Sequence, residues 1–307
     1  MVVAGSGIAG LSAGLAAARL GHKTLVLAGD ILGGQLLSIA KVDGYPGFPE
    51  GIPGYDLCPL TQEQADAAGA EFAATELTGL AGEDGRWRIN TGEGEDHVAR
   101  AVIIATGAGL KELGIPGEER LRGHGVSHCA SCDAPLLRER SVAVVGGGDS
   151  AAQEALTLAE FAARVIILHR GPALTAQRAY RERVSAHPRI ELRFNTTVEE
   201  VLGDASVKGL RTRDGATGAV ADVDFAGVFI YIGLQPNTGL LEGRIALDPA
   251  GGIPTDSAMR TALKGICAAG AVRSGWLGRA VISAGEGTAA ATAADEYLRT
   301  GRWPDGH

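Results

Sequence analysis

The sequence predicts an α/β protein made of two Rossmann-like dinucleotide-binding domains, one inserted into the other. Two observations predict this fold. The run GSGIAG at residues 5–10 lies between a short apolar strand and an alanine-rich helix. The run GGGDSA at residues 146–151 again joins a strand to a helix. A single glycine pattern of this kind is a weak signal, whereas two in the same strand, turn and helix context indicate two nucleotide sites.

In the first pattern each glycine has a physical purpose. Gly5 allows a tight turn, Gly7 lets the backbone approach a pyrophosphate, and Gly10 lets the helix pack on the strand. The N-terminus of the helix supplies N–H donors and a positive dipole end to phosphate groups. The next strand ends at Ala28, where an acidic residue usually binds a ribose, and Asp30 is the nearest carboxylate.

The remaining segments complete this architecture. Apolar spacing predicts helices over 11–20, 57–74, 152–162 and 283–298, and strands over 1–4, 23–27, 101–105, 141–145, 164–168, 230–233 and 266–270, with antiparallel strands across 75–98. The glycine- and proline-rich stretch from 33 to 49 reads as a surface loop. Linkers near 114–117 and 235–237 divide the chain into a first domain part at 1–113, an inserted domain at 114–236 and a second domain part at 237–307.

Composition narrows the classes of function. The formal net charge is -8 and the pI is about 5.4, which argues against nucleic acid or an anionic membrane as the main partner. No apolar run approaches the roughly 20 residues of a membrane span. The sequence begins in a strand without a basic leader, so we expect no signal peptide and a cytoplasmic protein.

A CxxC pair stands just before the second glycine pattern. Cys129 and Cys132 can close a small disulfide ring, and Asp133 follows at once. With His124 and His128 the same cysteines could instead supply four zinc ligands, an alternative that a zinc assay decides. The neighbouring nucleotide pattern favours the redox interpretation, with no metal.

The strand that follows the second pattern ends in His169 and Arg170. An arginine at this place suits the 2′-phosphate of NADP better than a free 2′-hydroxyl. Several other residues receive ordinary interpretations. Cys58 and Cys267 are expected to be buried thiols, and Asp149 is expected to cap a helix. Surface positions are expected for His97, His187 and His307. The segment 178–183 is expected to be a solvated helix face or a substitute contact to phosphate.

The order of short motifs along the whole chain resembles one family. GSGxAG, GGQL, YPGFP, IIATGA, CxxCD, VVGGGDSA, HR, IGxxPNT, CAAG and SAGEG occur in the order found in the bacterial low-molecular-weight thioredoxin reductases. The resemblance implies an FAD domain formed by both ends of the chain, and an inserted NADPH domain that carries the disulfide. It also implies a homodimer and a domain rotation that brings either the nicotinamide or the disulfide to the flavin.

The resemblance also implies roles for individual residues. Cys129 and Cys132 match the redox pair, and Asp133 matches the acid that protonates the leaving thiolate. The positions that match FAD contacts are Gly5, Ser6, Gly7, Ala9, Gly10, Gly33, Gly34, Gln35, Leu36, Thr106, Gly107, Gly270, Ala271, Arg279 and Ala280. The positions that match the nicotinamide nucleotide are Gly146, Gly148, Asp149, Ser150, Ala151, His169 and Arg170.

This chain departs from the family pattern at several of these positions. Ala271 replaces an aspartate that contacts FAD, Gly278-Arg279-Ala280 replaces Arg-Gln-Ala, and Gly44 replaces an asparagine. Gly171 and Thr175 replace two arginines, so Arg170 alone remains to hold a 2′-phosphate. The departures predict an altered FAD affinity, and they leave both NADPH and NADH open as the nucleotide.

The mechanism that the family implies passes electrons from the nicotinamide to the flavin and then to Cys132. Cys129 would attack the disulfide of a thioredoxin-like protein or a small molecule. Asp133 would be an effective acid at neutral pH only if burial raised its pKa by ~2–3 units. Two other functions stay open, a dithiol oxidase that passes electrons from FAD to oxygen, and a flavin-binding relative with little activity. The intact second pattern argues against the oxidase, and the retained CASCD motif argues against the inactive relative.

Overall fold

The structure, a computed structural model, describes residues 1–83, 85–92, 94, 96–241 and 243–303. His307 lies outside these residues. The chain divides into two compact units, a terminal unit of Met1–Gly109 with the chain from Gln235 onward, and an inserted unit of Leu110–Leu234. The chain crosses between them a few residues from the boundaries expected at 113 and 236.

The terminal unit begins with a strand, a helix and a strand. Its first part contains β1 (Val2–Ala4), α1 (Ile8–Arg19), β2 (Thr24–Leu27), α2 (Gly54–Ala67), β3 (Ala70–Ala73), β4 (Leu77–Glu83), β5 (Arg86–Thr91), β6 (Asp96–Ala99), β7 (Val102–Ile104) and β8 (Ala108–Leu110), the last of which reaches the crossing. The inserted unit contains β9 (Val126–Ser127), α3 (Ala130–Asp133), β10 (Ser141–Gly146), α4 (Asp149–Ala159), β11 (Arg164–Leu168), α5 (Arg178–Ala186), β12 (Ile190–Arg193), β13 (Thr196–Gly203), β14 (Val207–Asp214), β15 (Val220–Asp224) and β16 (Gly227–Tyr231). The return to the terminal unit adds β17 (Leu234–Pro236), β18 (Ile266–Ala268) and α6 (Ala280–Thr300).

Each unit has one parallel sheet and one antiparallel sheet. In the terminal unit the parallel order is β18-β7-β1-β2-β3, and β4, β5 and β6 form the antiparallel sheet. In the inserted unit the parallel order is β12-β11-β10-β16-β9, and β13, β14 and β15 form the antiparallel sheet. β8 and β17, the strands at the two crossings, pair with each other.

Alternation along the central strands creates a core on both faces of each parallel sheet. In the terminal unit Val3 of β1 faces the core under α1 and α6, whereas Val2 and Ala4 face the core under the antiparallel sheet. In the inserted unit Val142 and Val144 of β10 pack in the core with the helices. The residues between them, Ala143 and Val145, pack with the antiparallel strands.

Two segments differ from the sequence predictions. The helix expected over 57–74 ends at Ala67, because Gly69 takes a φ of +94° and the chain continues as β3. The stretch from 33 to 49 is more than a surface loop. It contains a 3₁₀ turn at Gly34–Ser38 and a bridge between Val42 and Ile52, and its apolar side chains pack beside Ile8.

Candidate active site

The first nucleotide turn is shaped by a backbone contact between neighbouring strands. Gly5 has a φ of +109°, and a Cβ atom there would lie 2.2 Å from the carbonyl oxygen of Ala105. Gly7 is the N-cap residue of α1. Among the described residues no side chain caps the helix, and apart from the adjoining backbone no atom lies within 4 Å of where a Cβ on Gly7 would be. The first-turn residues Ile8 and Ala9 are nevertheless buried. A buried, uncapped helix start beside open space fits a pyrophosphate, which satisfies such N–H groups.

Neighbouring segments brace this turn. Ser6 donates through its hydroxyl to the carbonyl oxygen of Ala28 at 2.7 Å, and Gln35 donates to the carbonyl of Ala108. The Thr106 hydroxyl donates to the carbonyl of Asn237 at 2.9 Å, and the Asn237 amide donates back to the carbonyl of Thr106. The residues of the terminal unit that were predicted to bind FAD therefore include side chains that also hold the turn in shape.

An ion pair that the sequence did not suggest joins the turn after β18 to α6. Glu286 of α6 accepts the backbone N–H of Gly270 at 2.8 Å and a guanidinium N–H of Arg273 at 3.0 Å. The side chains of Glu286 and Arg273 are only 10% and 12% exposed. Arg273 also donates to the Thr255 hydroxyl at 2.7 Å. Glu286 thus fixes the turn that contains Ala271 by accepting the N–H of Gly270. Ala271 itself has no carboxylate with which to contact a cofactor.

The second nucleotide turn repeats the design of the first. Gly146 has a φ of +151°, and a Cβ atom there would lie 2.3 Å from the carbonyl oxygen of Tyr231. Gly148 is the N-cap residue of α4, and among the described residues no side chain caps this helix. Asp149 is the first helical residue and accepts from the backbone and side-chain N–H groups of Gln177, at 2.7 and 2.6 Å. The expectation that Asp149 caps α4 is therefore wrong, because its carboxylate fixes the segment before α5 instead.

His169 and Arg170 follow β11 beside this turn. The imidazole of His169 covers Gly147, where a Cβ would lie 2.2 Å from Nδ1. Thr175 donates its hydroxyl to the carbonyl oxygen of Gly147 at 3.1 Å. Arg170 is exposed and forms no ion pair with any residue in the described ranges. One exposed guanidinium thus stands at the end of β11, where the ribose of a dinucleotide lies in this fold.

The two cysteines are joined as a disulfide. Cys129 and Cys132 flank the start of α3, with Cα atoms 5.3 Å apart. The backbone N–H of Cys132 donates to Sγ of Cys129 at 3.3 Å, an interaction that stabilises a thiolate on Cys129 once the bond is reduced. Cys129 donates its own N–H to the Ser127 hydroxyl at 3.0 Å. Within the described residues no group of three or more His, Cys, Asp or Glu side chains could hold a metal.

The acid predicted beside the disulfide is only partly buried. Asp133 ends α3 with intermediate exposure. The buried carboxyl near the cysteines belongs to Glu154 of α4, which is 5% exposed. Burial raises the pKa of Glu154 to about 7, although the N–H of Ala130 opposes this shift. Sequence reasoning missed Glu154 because a single glutamate in an alanine-rich helix carries no signal of the face on which it lies.

The other cysteines are buried and unpaired, as predicted. Burial raises the pKa of the Cys58 thiol to about 11, and the thiol donates to the carbonyl of Gly33. Burial also raises the pKa of Cys267, which lies within β18. Neither thiol is therefore a thiolate near neutral pH.

The inserted unit brings its two functional features to one face of its sheet. Ala130 and Ala134 of the cysteine segment pack in the same apolar core as Ala151 and Ala155 of α4. α4 begins at the second nucleotide turn. The disulfide and the predicted nicotinamide nucleotide site are therefore built on adjoining helices that share one apolar core.

Comparison with known proteins gives a consistent result. The family model for pyridine nucleotide-disulphide oxidoreductases matches residues 1–289. The thioredoxin reductase of Treponema pallidum is 40% identical over 98% of this chain and 97% of its own length, and that of Mycolicibacterium smegmatis is 39% identical over 97% and 96%.

Solved structures give the same family. The thioredoxin reductase of Lactococcus lactis matches with a TM-score of 0.94 and 36% identity, over 97% of this chain and 98% of that one. The enzyme of T. acidophilum matches with a TM-score of 0.92 and 33% identity over the same shares. The chain therefore belongs to the pyridine nucleotide-disulphide oxidoreductases, and within them it is an enzyme of the low-molecular-weight thioredoxin reductase type.

Proposed function

We propose that this enzyme carries electrons from NADPH through FAD to the Cys129–Cys132 disulfide, and from there to the disulfide of a thioredoxin-like protein. The observation that supports this most is the disulfide itself, which shares a core with the second nucleotide turn. The relatives named thioredoxin reductase supply the partner class. The direction is that of a reductase, because both nucleotide turns are intact.

The terminal unit is proposed to hold FAD. The uncapped start of α1 and the backbone at Gly7 would bind the pyrophosphate, and the braced turn at Thr106 and Gly107 would bound the site. The turn at Gly270, fixed by Glu286, would support the far side. When bound, FAD supplies two-electron chemistry that links a nicotinamide to a disulfide.

The inserted unit is proposed to bind the nicotinamide nucleotide and to perform the thiol exchange. The start of α4 would receive the pyrophosphate, and Arg170 would pair with the 2′-phosphate. The N–H of Cys132 would stabilise the Cys129 thiolate, which attacks the partner disulfide. Asp133, at the end of α3, would protonate the leaving sulfur. Leu136, 81% exposed just beyond the cysteines, offers an apolar contact for the partner.

The family resemblance extends the proposal to a cytoplasmic homodimer. No helix in the described ranges is long and apolar enough to cross a lipid bilayer. Light scattering of the purified protein measures the number of subunits directly.

Anaerobic mixing of the purified yellow protein with NADPH tests the whole proposal. We expect rapid loss of the flavin absorbance, followed by recovery of colour and release of thiols when an oxidised thioredoxin is added. Absence of bleaching by NADPH and by NADH would contradict the proposal. Bleaching by a dithiol, with electrons then passed to oxygen, would show the oxidase direction instead.

Arg170→Ala tests the nucleotide preference. We expect the KM for NADPH to rise about tenfold while the KM for NADH changes little, because a charge-assisted contact to phosphate contributes roughly 1.5–3 kcal/mol. Steady-state kinetics with both nucleotides measures the effect. Arg164→Ala is the matched control, since Arg164 lies at the opposite end of β11 and pairs with Glu191. Equal losses with both nucleotides would remove Arg170 from the 2′-phosphate site.

A further inference from the structure

A buried carboxyl lies beneath the segment that carries the redox disulfide. Glu154 is a buried residue of α4, and its neighbour Ala155 packs with Ala130 of α3 in the apolar core. It is 5% exposed, and the N–H of Ala130 is its hydrogen-bonding partner in the backbone. Ala130 directly follows Cys129. The Glu154 carboxyl therefore lies beside the peptide group that joins Cys129 to Ala130.

The same N–H also donates to a partly buried hydroxyl group. Ala130 donates to the hydroxyl oxygen of Tyr231 at 3.1 Å. Burial raises the pKa of Tyr231, and the neighbouring charge of Glu154 adds to the shift. The tyrosine thus stays neutral, and Glu154 is the group of this pair that ionises near neutral pH.

The surroundings of Glu154 contain few other charges. The titratable groups on the elements packed against α4 are Tyr231 of β16, Asp133 of α3, whose charge acts on Tyr231, and Tyr180 of α5, whose hydroxyl donates to Gln153. The strands beneath α4 contribute apolar side chains to this core, namely Val142, Val144, Val165, Ile167, Ile190 and Leu192. With no described cation against it, a carboxylate at Glu154 lacks a charged partner and costs desolvation free energy.

We propose that Glu154 is a positioning residue that controls the ionisation of Cys129 in the reduced enzyme. The inference rests on the proposed function only in taking Cys129 and Cys132 as the redox pair. Reduction breaks the S–S bond with two electrons, supplied by the nicotinamide nucleotide, and one proton, and leaves one thiol and one thiolate. A negative charge on Glu154 opposes the thiolate, whereas a protonated Glu154 permits it. The thiolate in turn raises the pKa of Glu154. Formation of the thiolate is therefore accompanied by uptake of a second proton at Glu154 when the pH lies near or just above the pKa of about 7 that Glu154 has in the oxidised enzyme, because below that pH the carboxyl is already protonated.

The pH dependence of thiol alkylation tests this role. The holoenzyme is reduced with dithiothreitol, desalted and treated with iodoacetamide between pH 5.5 and 9.5. Mass spectrometry then follows the tryptic peptide from residue 123 to residue 138, which contains both cysteines and neither Cys58 nor Cys267. At pH 6 we expect Glu154→Gln and wild type to react at the same rate. At pH 8 we expect the variant to react about three- to tenfold faster, because only the wild type then carries the opposing charge.

Glu160→Gln is the matched control. Glu160 follows the last residue of the same helix and is exposed, so the substitution makes the same change in charge without reaching the disulfide. Its profile should superimpose on that of the wild type. Superposition of the Glu154→Gln profile on the wild type across the whole pH range would overturn the proposal. Chemical reduction makes this result independent of whether NADPH reduces the enzyme.

A second measurement needs no variant. An infrared difference spectrum between oxidised and reduced wild-type protein at pH 7 should contain a protonated-carboxyl band that grows on reduction. Absence of any change in that band would overturn the proposal as well. Because this measurement uses the wild type, it tests the inference even if Glu154→Gln does not fold.

Discussion

Replacing Cys129 or Cys132 by serine should abolish disulfide turnover, while reduction of the flavin by NADPH continues at an undiminished rate. The described residues contain one disulfide, and the remaining cysteines are buried thiols whose pKa values are raised by burial. No other sulfur can therefore take over the exchange, and we expect a loss of at least a thousandfold, on the scale of removing a catalytic nucleophile. Anaerobic stopped-flow absorbance follows the flavin, and thioredoxin-coupled release of thiols follows turnover.

The two serine variants should also differ from each other. Cys132→Ser leaves the Cys129 sulfur, which should form a stable mixed disulfide with the partner because no second sulfur resolves it. Cys129→Ser should trap much less of the partner. The control is Cys267→Ala, which removes a buried thiol from β18 and should retain turnover. Full turnover in Cys129→Ser would refute the assignment, and preferential trapping by that variant would exchange the roles of the two sulfurs.

Glu286→Ala should strongly destabilise the terminal unit and weaken its hold on FAD. The substitution leaves the guanidinium of Arg273 buried without its carboxylate, and it removes the acceptor for the N–H of Gly270. Breaking a buried pair from one side costs about 3–5 kcal/mol. Thermal unfolding measures the loss of stability, and the ratio of flavin to protein after gel filtration measures retention of the cofactor.

The matched control lies on the same helix. Glu296 is half-exposed and stands 4.0 Å from the nearest nitrogen of Arg260, so Glu296→Ala should cost at most about 1 kcal/mol. If the two variants had the same melting temperature and retained equal amounts of flavin, the ion pair between Glu286 and Arg273 would not support the cofactor site.

The sequence predicted those parts of the fold that are determined by residues close together in the chain. β11 occupies the predicted residues 164–168, and the antiparallel strands lie in the predicted stretch of 75–98 except that β6 ends one residue later, at Ala99. Both glycine turns stand where the motifs indicated, because a positive φ beside a neighbouring carbonyl leaves room for glycine alone. The helix expected over 57–74 shows the opposite case. The apolar residues continue from α2 into β3, so the pattern did not show where the helix ends and the strand begins.

The supporting residues of the sites could not be predicted in this way. The burial of Glu154 depends on α3 lying against α4, and the pairing of Glu286 with Arg273 depends on the turn after β18 meeting α6. Neither relation leaves a periodic signal in the sequence. Asp149 shows a related difficulty, because its position suggested a helix cap while its partner Gln177 lies 28 residues away.

The pairing of β8 with β17 determines how easily the inserted unit could be separated from the terminal unit by protein engineering. The backbone N–H of Lys111 donates to the carbonyl of Gly233 at 3.0 Å, so the inserted unit begins and ends at one place. In the terminal unit the N–H of Asn237 donates to the carbonyl of Gly107, also at 3.0 Å, so the gap left by removing the insert is short. Domains whose ends meet in this way tolerate excision and transplantation, since joining adjacent ends adds little closure entropy. The inserted unit contains both the second nucleotide turn and the disulfide. It could therefore be exchanged between relatives as one continuous gene segment.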